Sequence, residues 1–230
     1  CEGIVSEVIG LTIEVQGIKA FVGEVCTIYN VYNNPVSCEV VGFKNNKVIL
    51  MPLGELVGIS PGCIVVPERR PLEVQCSDDL MGMVLDGLGK PIYGGELLTG
   101  TPYPLENQPP DPLKRKRIKD ILPTGVRAID GFLTCGDGQR IGIFAGSGVG
   151  KSTTLGMIAR EAEADVNVIC LIGERGREVL EFIEKDLGPE GMKKSVVVCA
   201  TSDKSALERV KGALTATAIA EYFRDKGKKV

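Results

Sequence analysis

A glycine-rich octapeptide, AGSGVGKS at residues 145–152, constrains the fold of this chain more than any other stretch. The run before it, RIGIF at residues 140–144, has the character of a buried parallel strand, and residues 153–160 after it predict a helix. A strand, a glycine-rich loop and a helix in this order form the context that a phosphate-binding loop requires. The flanking strand and helix disfavour the alternative, a glycine-rich turn that only caps a buried helix.

The residue types of this loop suit a polyphosphate, which must lie against bare backbone with N–H groups and a helix N-terminus directed at its oxygens. Glycines at 146, 148 and 150 permit that approach, Lys151 would reach the β- and γ-phosphates, and the Ser152 hydroxyl would bind Mg²⁺. Ala145 replaces the first glycine of the strict G-x-x-x-x-G-K-[ST] pattern. The predicted nucleotide-binding residues are Ala145, Gly146, Ser147, Gly148, Val149, Gly150, Lys151, Ser152 and Thr153.

Length and composition are those of an ordinary soluble globular protein. The chain has 230 residues, 43% hydrophobic and 25% charged, with a net charge of −3. That length suits one large domain or two smaller ones. No apolar run approaches the roughly 20 residues that span a bilayer, and the N-terminus lacks the layout of a signal peptide. We therefore expect a cytoplasmic protein.

The cysteines and the absence of histidine restrict the available chemistry. Eight cysteines are scattered without a C-x-x-C pair, and there is no histidine. Zinc-type ligation therefore has little to work with, and several cysteines lie in strand-like runs, which favours buried reduced thiols. Without histidine, any general base must be a carboxylate.

The first 70 residues predict a small β-barrel. Six short β-type runs, at residues 3–8, 11–16, 24–29, 37–43, 47–52 and 63–67, are separated by turn signals such as KNNK at 44–47. Such a barrel could bind oligonucleotides or serve assembly. Only Phe21, Tyr29, Tyr32 and Phe43 supply aromatic rings, with few lysines nearby, so assembly is the favoured interpretation.

Residues 68–123 are rich in proline and predict extended crossings rather than long regular elements. Residues 82–91 read as a short strand followed by a tight turn. The run KRKR at 114–117 is the one concentrated basic patch, and a solvated face is its ordinary interpretation. A contact with anionic lipid or nucleic acid stays open as an alternative.

From residue 124 onward the pattern alternates between helix and strand. Residues 126–133 look helical, and 165–172 and 194–200 look like buried strands. The apolar helical stripe after the first of these strands consists of Val179, Leu180, Phe182, Ile183 and Leu187. SALE at 205–208 fits a capping box that opens a last helix, ending near residue 227. Alternation at this spacing predicts a parallel sheet with right-handed crossovers and ligands at the carboxyl ends of its strands. The apolar face predicted for the last helix consists of Leu207, Val210, Leu214 and Tyr222.

A second cluster of charged residues, GERGRE at 173–178, follows the second strand at the edge where the phosphate loop lies. Hydrolysis of a γ-phosphate requires a group that orients water and cations that meet the developing charge. Glu174 could orient the water and Arg175 could supply a cation. Arg177 and Glu178 are equally well explained as a salt-bridged helix start, and Glu174 as a surface carboxylate near a helix N-terminus.

Several of these runs carry a family resemblance. TGVRAID at 124–130, GQRIGIFAGSGVGKST at 138–153 and LIGERGREV at 171–179 resemble the flagellar and type III secretion export ATPases, which are relatives of the rotary F- and V-type ATPases. DLGPEG at 186–191 and AIAEYFRD at 218–225 extend the similarity over nearly the whole chain. The loop spelling AGSGVGKS is similar to that of the flagellar branch.

The resemblance implies a fold and roles for individual residues. The fold is a small N-terminal β-barrel, residues 1–70, followed by an α/β P-loop domain with a parallel, RecA-like sheet, residues 71–230. Lys151 and Ser152 match the phosphate and magnesium contacts, Glu174 the glutamate that polarises the attacking water, and Arg175 an arginine near the γ-phosphate. Non-catalytic subunits of the rotary enzymes carry glutamine in place of Glu174, so the resemblance favours a catalytic subunit.

The resemblance also implies ligands, partners and a location. ATP and Mg²⁺ would bind in a homohexameric ring that works with export-apparatus proteins, a regulator and substrate–chaperone complexes at the cytoplasmic face of the inner membrane. Nucleic acid is not expected as a partner. Two alternatives stay open: a ring-shaped RNA-dependent helicase of the transcription-terminator kind, and a non-hydrolysing assembly subunit.

The resemblance finally predicts that the domain is incomplete at its C-terminus. Family chains continue beyond the position of Val230 with the strand that carries the magnesium-shell aspartate, the arginine finger and a helical domain. We therefore expect residues 1–230 alone to hydrolyse ATP poorly or not at all.

Overall fold

The computed structural model describes residues 2–96, 99–146 and 148–230. Its first unit is a closed barrel of six antiparallel strands in the order β1-β2-β5-β4-β3-β6, with β6 pairing back to β1. The predicted barrel is thus confirmed. The strands are β1 (Gly3–Ile9), β2 (Thr12–Gln16), β3 (Glu24–Tyr29), β4 (Pro35–Lys44), β5 (Lys47–Pro52) and β6 (Ile64–Pro71).

The barrel follows from alternating side chains. Every second residue points inward, and Val15, Ile28, Leu50 and Val65 are among the residues that fill the interior. The β4–β5 hairpin turns at two asparagines whose φ angles are 50° and 61°. Asparagine tolerates this left-handed conformation, and two such residues make the turn that matches the twist of a hairpin.

The segment after the barrel is extended, as predicted. β7 (Glu73–Cys76) pairs with β10 (Thr101–Pro104), and two 3₁₀ turns lie at Asp78–Leu80 and Pro112–Lys114. β8 (Val84–Asp86) and β9 (Pro91–Tyr93) form the strand, turn and return expected around residues 82–91. All four residues of the basic run 114–117 are exposed.

The second unit is an α/β sandwich. Its sheet has the order β11-β12-β8-β9, in which the first three strands are parallel. A π-helical turn, Phe182–Leu187, joins α3 to α4. The elements are α1 (Arg127–Phe132), α2 (Lys151–Glu161), β11 (Asn167–Ile172), α3 (Gly176–Glu181), α4 (Gly188–Lys193), β12 (Ser195–Ala200) and α5 (Ala206–Asp225).

Two apolar cores cover the two faces of this sheet. On one face, Ile219 and Phe223 of α5 pack against β7 and against sheet residues that include Leu85. On the other, Ala159 of α2 and Phe182 pack against β11 and β12. All six residues of β12 are buried, as expected of a parallel strand covered by helices on both sides. The division into residues 1–70 and 71–230 stays a prediction.

One predicted strand is wrong. Residues 140–144 have no regular structure, and Phe144 is 97% exposed. A parallel strand needs a neighbour that satisfies its N–H and C=O groups, and none of the described strands pairs with this segment. Instead, Ile141 and Ile143 lie across a groove of about 580 Å³ from Leu171 and Ile172 of β11.

The predicted apolar face of α5 is correct only in part, because Leu214 and Tyr222 pack against the apolar core but Val210 does not. Val210 is 60% exposed, whereas the buried stripe runs through Glu208, Lys211, Thr215 and Ile219. The predicted face excluded charged residues, but in this protein two of them are buried because they have partners. In the stripe after β11, Leu180 is similarly exposed, while its predicted companions Val179, Phe182 and Leu187 are buried.

The seven described cysteines are all free, and six of them are buried. Burial raises the pKa of Cys38 and of Cys76 to about 12, so these thiols stay protonated. The prediction of buried reduced thiols is confirmed for these residues. Among the described residues, no helix is long and apolar enough to cross a membrane.

Candidate functional site

The glycine-rich loop leads directly into α2. Gly148 and Gly150 have φ angles of 76° and 93°, a left-handed conformation that L side chains rarely adopt, and Gly150 is the N-cap of the helix. A Cβ on either glycine would meet nothing within 4 Å. Backbone conformation therefore requires these glycines, and the space beside the loop stays open for a ligand.

Lys151 and Ser152 are the first two residues of α2. The N–H groups of a first helical turn have no intrahelical acceptors and lie at the positive end of the helix dipole. The side chain of Lys151 is 52% exposed and extends toward Glu174. This helix start therefore offers N–H donors, an ammonium group and a hydroxyl to an anion.

Glu174 lies just beyond the carboxyl end of β11, and hydrogen bonds to the end of β12 and to the loop after it fix the backbone at residues 173–174. The N–H of Gly173 donates to the carbonyl of Ala200 (2.8 Å), and the N–H of Ser202 donates to the carbonyl of Glu174 (3.1 Å). The Nζ of Lys151 is 4.0 Å from Oε1 of Glu174. The structure therefore brings the predicted phosphate-binding lysine and the predicted water-orienting carboxylate together at one edge of the sheet.

Arg175 is the N-cap residue of α3, and its side chain points along that helix. Its Nη1 is 3.6 Å from Oε1 of Glu178, and its side chain is 67% exposed. The sequence alternative paired Glu178 with Arg177, whereas the structure pairs it with Arg175. A role for Arg175 near a γ-phosphate stays a prediction that requires this exposed ion pair to open.

A polar cleft of about 500 Å³ is lined by the loop, the start of α2 and Glu174. Its lining consists of Lys151, Ser152, Thr153, Glu174, the three glycines at 146, 148 and 150, and four further charged residues, Glu178, Glu181, Lys185 and Asp186. Of these four, the sequence singled out only Glu178, and as part of a helix start.

Glu178 and Glu181 lie on α3, and Lys185 and Asp186 lie in the π-helical turn that follows it. Lys185 Nζ is 2.8 Å from Oε1 of Glu181, and the hydrogen bond from Lys185 lowers the pKa of that carboxyl. An i, i+4 Glu–Lys pair is visible in the sequence, but its proximity to the cleft depends on the π-helical turn. No sequence pattern predicted that turn.

The charges of the cleft indicate what it can hold. Four carboxylates (Glu174, Glu178, Glu181 and Asp186) face two ammonium groups (Lys151 and Lys185). A free polyphosphate would meet excess negative charge there, whereas one that carries a divalent cation would not. The donor set therefore suits a metal-complexed nucleotide, and the role of the Ser152 hydroxyl as a metal ligand stays a prediction.

The rest of the predicted loop flanks this cleft. Ala145 and Gly146 precede the turn, and Val149, 68% exposed, lies at its outer side. Ser147 lies outside the described residues. The roles assigned to individual loop residues remain predictions.

Comparison with known protein families agrees with this architecture. The β-barrel domain of the ATP synthase alpha/beta family matches residues 5–69, and the nucleotide-binding domain of the same family matches residues 125–230. Together these matches cover the barrel and the unit that contains the cleft.

Individual relatives and solved structures are similar over almost the entire chain. The flagellum-specific ATP synthase of Bacillus subtilis is 54% identical over 99% of this chain and 53% of its own length. The type 3 secretion system ATPase of Xanthomonas euvesicatoria is 52% identical over 99% and 52%. The chain thus spans about half the length of the curated relatives it matches.

The structure of assembled EscN, an ATPase of the enteropathogenic E. coli type III secretion system, aligns with a TM-score of 0.88 at 44% identity, over 99% of this chain and 55% of that one. A second structure, EscN in complex with its central stalk EscO, aligns with a TM-score of 0.90 at 43% identity, over 99% and 56%. With both units matched by domains of one family, this chain belongs to the ATP synthase alpha/beta family, and flagellum-specific ATP synthases and type III secretion ATPases are among the proteins similar to it.

Proposed function

We propose that the protein to which this chain belongs hydrolyses MgATP to drive flagellar or type III protein export. The observation that carries the proposal is the meeting of Lys151, Ser152 and Glu174 around one polar cleft at the carboxyl end of the sheet. The 4.0 Å between Nζ of Lys151 and Oε1 of Glu174 supports the proposal, because a carboxylate beside the phosphate-binding lysine could align a water for attack on a γ-phosphate.

The residues divide the work of phosphoryl transfer. The loop backbone and Lys151 bind and orient the phosphates, and Ser152 would hold the magnesium ion, which supplies positive charge to the phosphate oxygens. Glu174 accepts a hydrogen bond from the attacking water and aligns it. Arg175, once released from Glu178, supplies positive charge to the developing transition state.

The proposal extends to assembly and location. Two of the similar structures are described as assembled EscN and as EscN with its central stalk EscO. For this protein we propose a homo-oligomer, with a hexameric ring as the expected form, bound to export-apparatus proteins, a regulator and substrate–chaperone complexes at the cytoplasmic face of the inner membrane.

Phosphate release by the full-length protein, measured against protein concentration, tests this function. Specific activity that rises steeply with concentration is expected, because a site shared between subunits forms only in the oligomer. Lys151→Ala should abolish both nucleotide binding and phosphate release. EDTA should weaken nucleotide binding, because removal of the metal leaves the phosphates facing the excess carboxylates of the cleft. Lys193→Ala, which removes an exposed lysine of α4 that pairs with Glu190, should leave nucleotide binding and phosphate release unchanged. Activity that is absent at every concentration would contradict the proposal.

A further inference from the structure

A buried lysine joins the barrel to the nucleotide-binding unit. Lys211 lies on α5, and its Nζ is 2.7 Å from Oε1 of Glu39 on β4 and 3.1 Å from Oε1 of Glu106. Lys211 and Glu39 are only 5% and 6% exposed. Because buried charges are costly unless they remain paired, this contact fixes α5 against the barrel.

Lys211 is charged near neutral pH. Burial by itself would lower the pKa of Lys211, but the hydrogen bonds and negative charges of Glu39 and Glu106 outweigh it, and the pKa is raised above 10.5. A raised pKa means that the stabilisation is fully present below the ordinary value and is lost only as the pH rises through the folded one.

The barrel end of this contact is rigid. Glu39 lies within β4, where it is in register with Val25 of β3 on one side and Met51 of β5 on the other. Because the barrel is closed, neither neighbouring strand is an open edge. The backbone of Glu39 is therefore fixed within the barrel.

The other end of the contact, α5, packs too tightly to move alone. A Cβ on Gly87 would lie 2.7 Å from the carbonyl oxygen of Glu208, and the hydroxyl of Thr215 donates to the carbonyl of Gly87 (2.8 Å). A Cβ on Gly212 would likewise lie 3.3 Å from the Cβ of Ala200, the last residue of β12. A shift of α5 is thus transmitted to the end of β12 and to the turn after β8.

The start of α5 connects directly to Glu174. Lys211 lies five residues after Ala206, about 7.5 Å along the helix axis. Ser205 caps the helix through the N–H of Glu208. The preceding residues, 201–205, form the loop in which the N–H of Ser202 donates to the carbonyl of Glu174 (3.1 Å).

We propose that Lys211 is a positioning residue for hydrolysis, whose ion pair with Glu39 holds α5, the loop 201–205 and the backbone of Glu174 in fixed relation to the barrel. This inference rests on the proposed function, since Glu174 is the group expected to align water. Misplacing such a group by about 1 Å can cost ~100-fold in rate. Nucleotide affinity depends on Lys151 and the loop backbone, so it should be far less sensitive.

The test uses Lys211→Met in the full-length protein, with the charge-reversed double variant Glu39→Lys/Lys211→Glu as the rescue. Lys47→Met is the matched control, because Lys47 forms an equally short ion pair, 2.6 Å from Glu14, that lies within the barrel and does not reach α5. The kcat, the Kd for MgADP and the hydrogen–deuterium exchange of residues 173–176 and 201–205 are measured for each protein.

For Lys211→Met we expect kcat to fall ~10- to 100-fold while the Kd changes by less than about threefold. Amide exchange should rise in both segments, because the Ser202 N–H loses its fixed acceptor. The reversed pair should recover most of the kcat, and Lys47→Met should match the wild type in all three measurements.

If Lys211→Met does not fold, Glu106→Gln serves instead. Glu106 is 72% exposed, so its loss should lower kcat only about two- to fivefold, in keeping with the weakness of exposed ion pairs. Unchanged kcat in the folded variant, or exchange equal to that of Lys47→Met, would overturn the inference. A wild-type protein that does not hydrolyse ATP would overturn the proposed function instead, and the exchange data would then decide whether Lys211 holds the Glu174 backbone.

Discussion

Gly156→Ala is a substitution for which two opposing effects can be weighed from the structure. Gly156 lies in the middle of α2, where alanine is normally favoured over glycine by roughly 0.5–1 kcal/mol. Here a Cβ would lie 2.6 Å from the carbonyl oxygen of Asp186 and 2.8 Å from its carbonyl carbon. Because these are backbone atoms, no side-chain rotation can relieve the clash.

Overpacking of this kind costs about 1–3 kcal/mol, and a backbone contact belongs at the upper end. Subtracting the helix-propensity gain leaves a net loss of about 2 kcal/mol, which lowers the melting temperature of a chain of this size by ~4–8 °C. The π-helical turn would be pushed outward with Asp186, which lines the cleft, so nucleotide affinity should weaken as well.

Thermal unfolding followed by circular dichroism measures the effect. Gly131→Ala is the matched control: Gly131 also lies in a helix, but nothing lies within 4 Å of its Cβ position. That variant should be as stable as the wild type or slightly more so. A Gly156→Ala protein that melts at or above the wild-type temperature would refute this account of how α2 packs.

Three further predictions concern other parts of the structure. Leu187→Ala should lower the free energy of unfolding by about 2–5 kcal/mol, because the Leu187 side chain is fully buried. Leu180→Ala should lower it by less than about 0.5 kcal/mol, because Leu180 is exposed, and chemical denaturation measures both values. Hydrogen bonds from the side chain and backbone of Thr124 lower the pKa of Asp130 below 3.8, so the stabilisation by the Asp130 carboxylate is present above pH 3.8 and is lost as the pH falls through the folded pKa. The difference in unfolding free energy between the wild type and Asp130→Asn should therefore shrink on acidification, and a difference independent of pH would contradict this. Cys38 should resist a thiol reagent at pH 8 until the protein unfolds, since burial raises its pKa to about 12, and rapid labelling in the native state would contradict its burial.

The sequence predicted those elements whose signals are local. The alternation of apolar residues such as Val15 and Leu50 with polar ones predicted the barrel strands, and the asparagines at 45 and 46 predicted a hairpin turn. The capping box at Ser205 and Glu208 gave the start of α5, where the Glu208 N–H does donate to the Ser205 hydroxyl at 3.1 Å. The glycine loop and the residues after β11 located the two sides of the cleft, because parallel strands end at a common edge.

What the sequence could not predict depends on partners distant along the chain. Residues 140–144 have the composition of a strand, but strand formation requires a neighbour, and composition does not reveal one. The face of α5 was predicted only in part, because the burial of Lys211 depends on Glu39, 172 positions away. The addition of β8 to the parallel sheet is equally non-local, since Val84–Asp86 pairs with β12 more than 100 residues later.

The most direct test of the central claim compares binding and hydrolysis in one variant, Glu174→Gln of the full-length protein. This substitution keeps the shape of the side chain and the Ser202 hydrogen bond to its carbonyl, but it removes the carboxylate expected to align water. The account predicts that MgATP still binds with a Kd within about threefold of the wild type, while phosphate release falls ~100-fold or more. Phosphate release at the wild-type rate would contradict the assignment of Glu174 and, with it, the proposed site of hydrolysis.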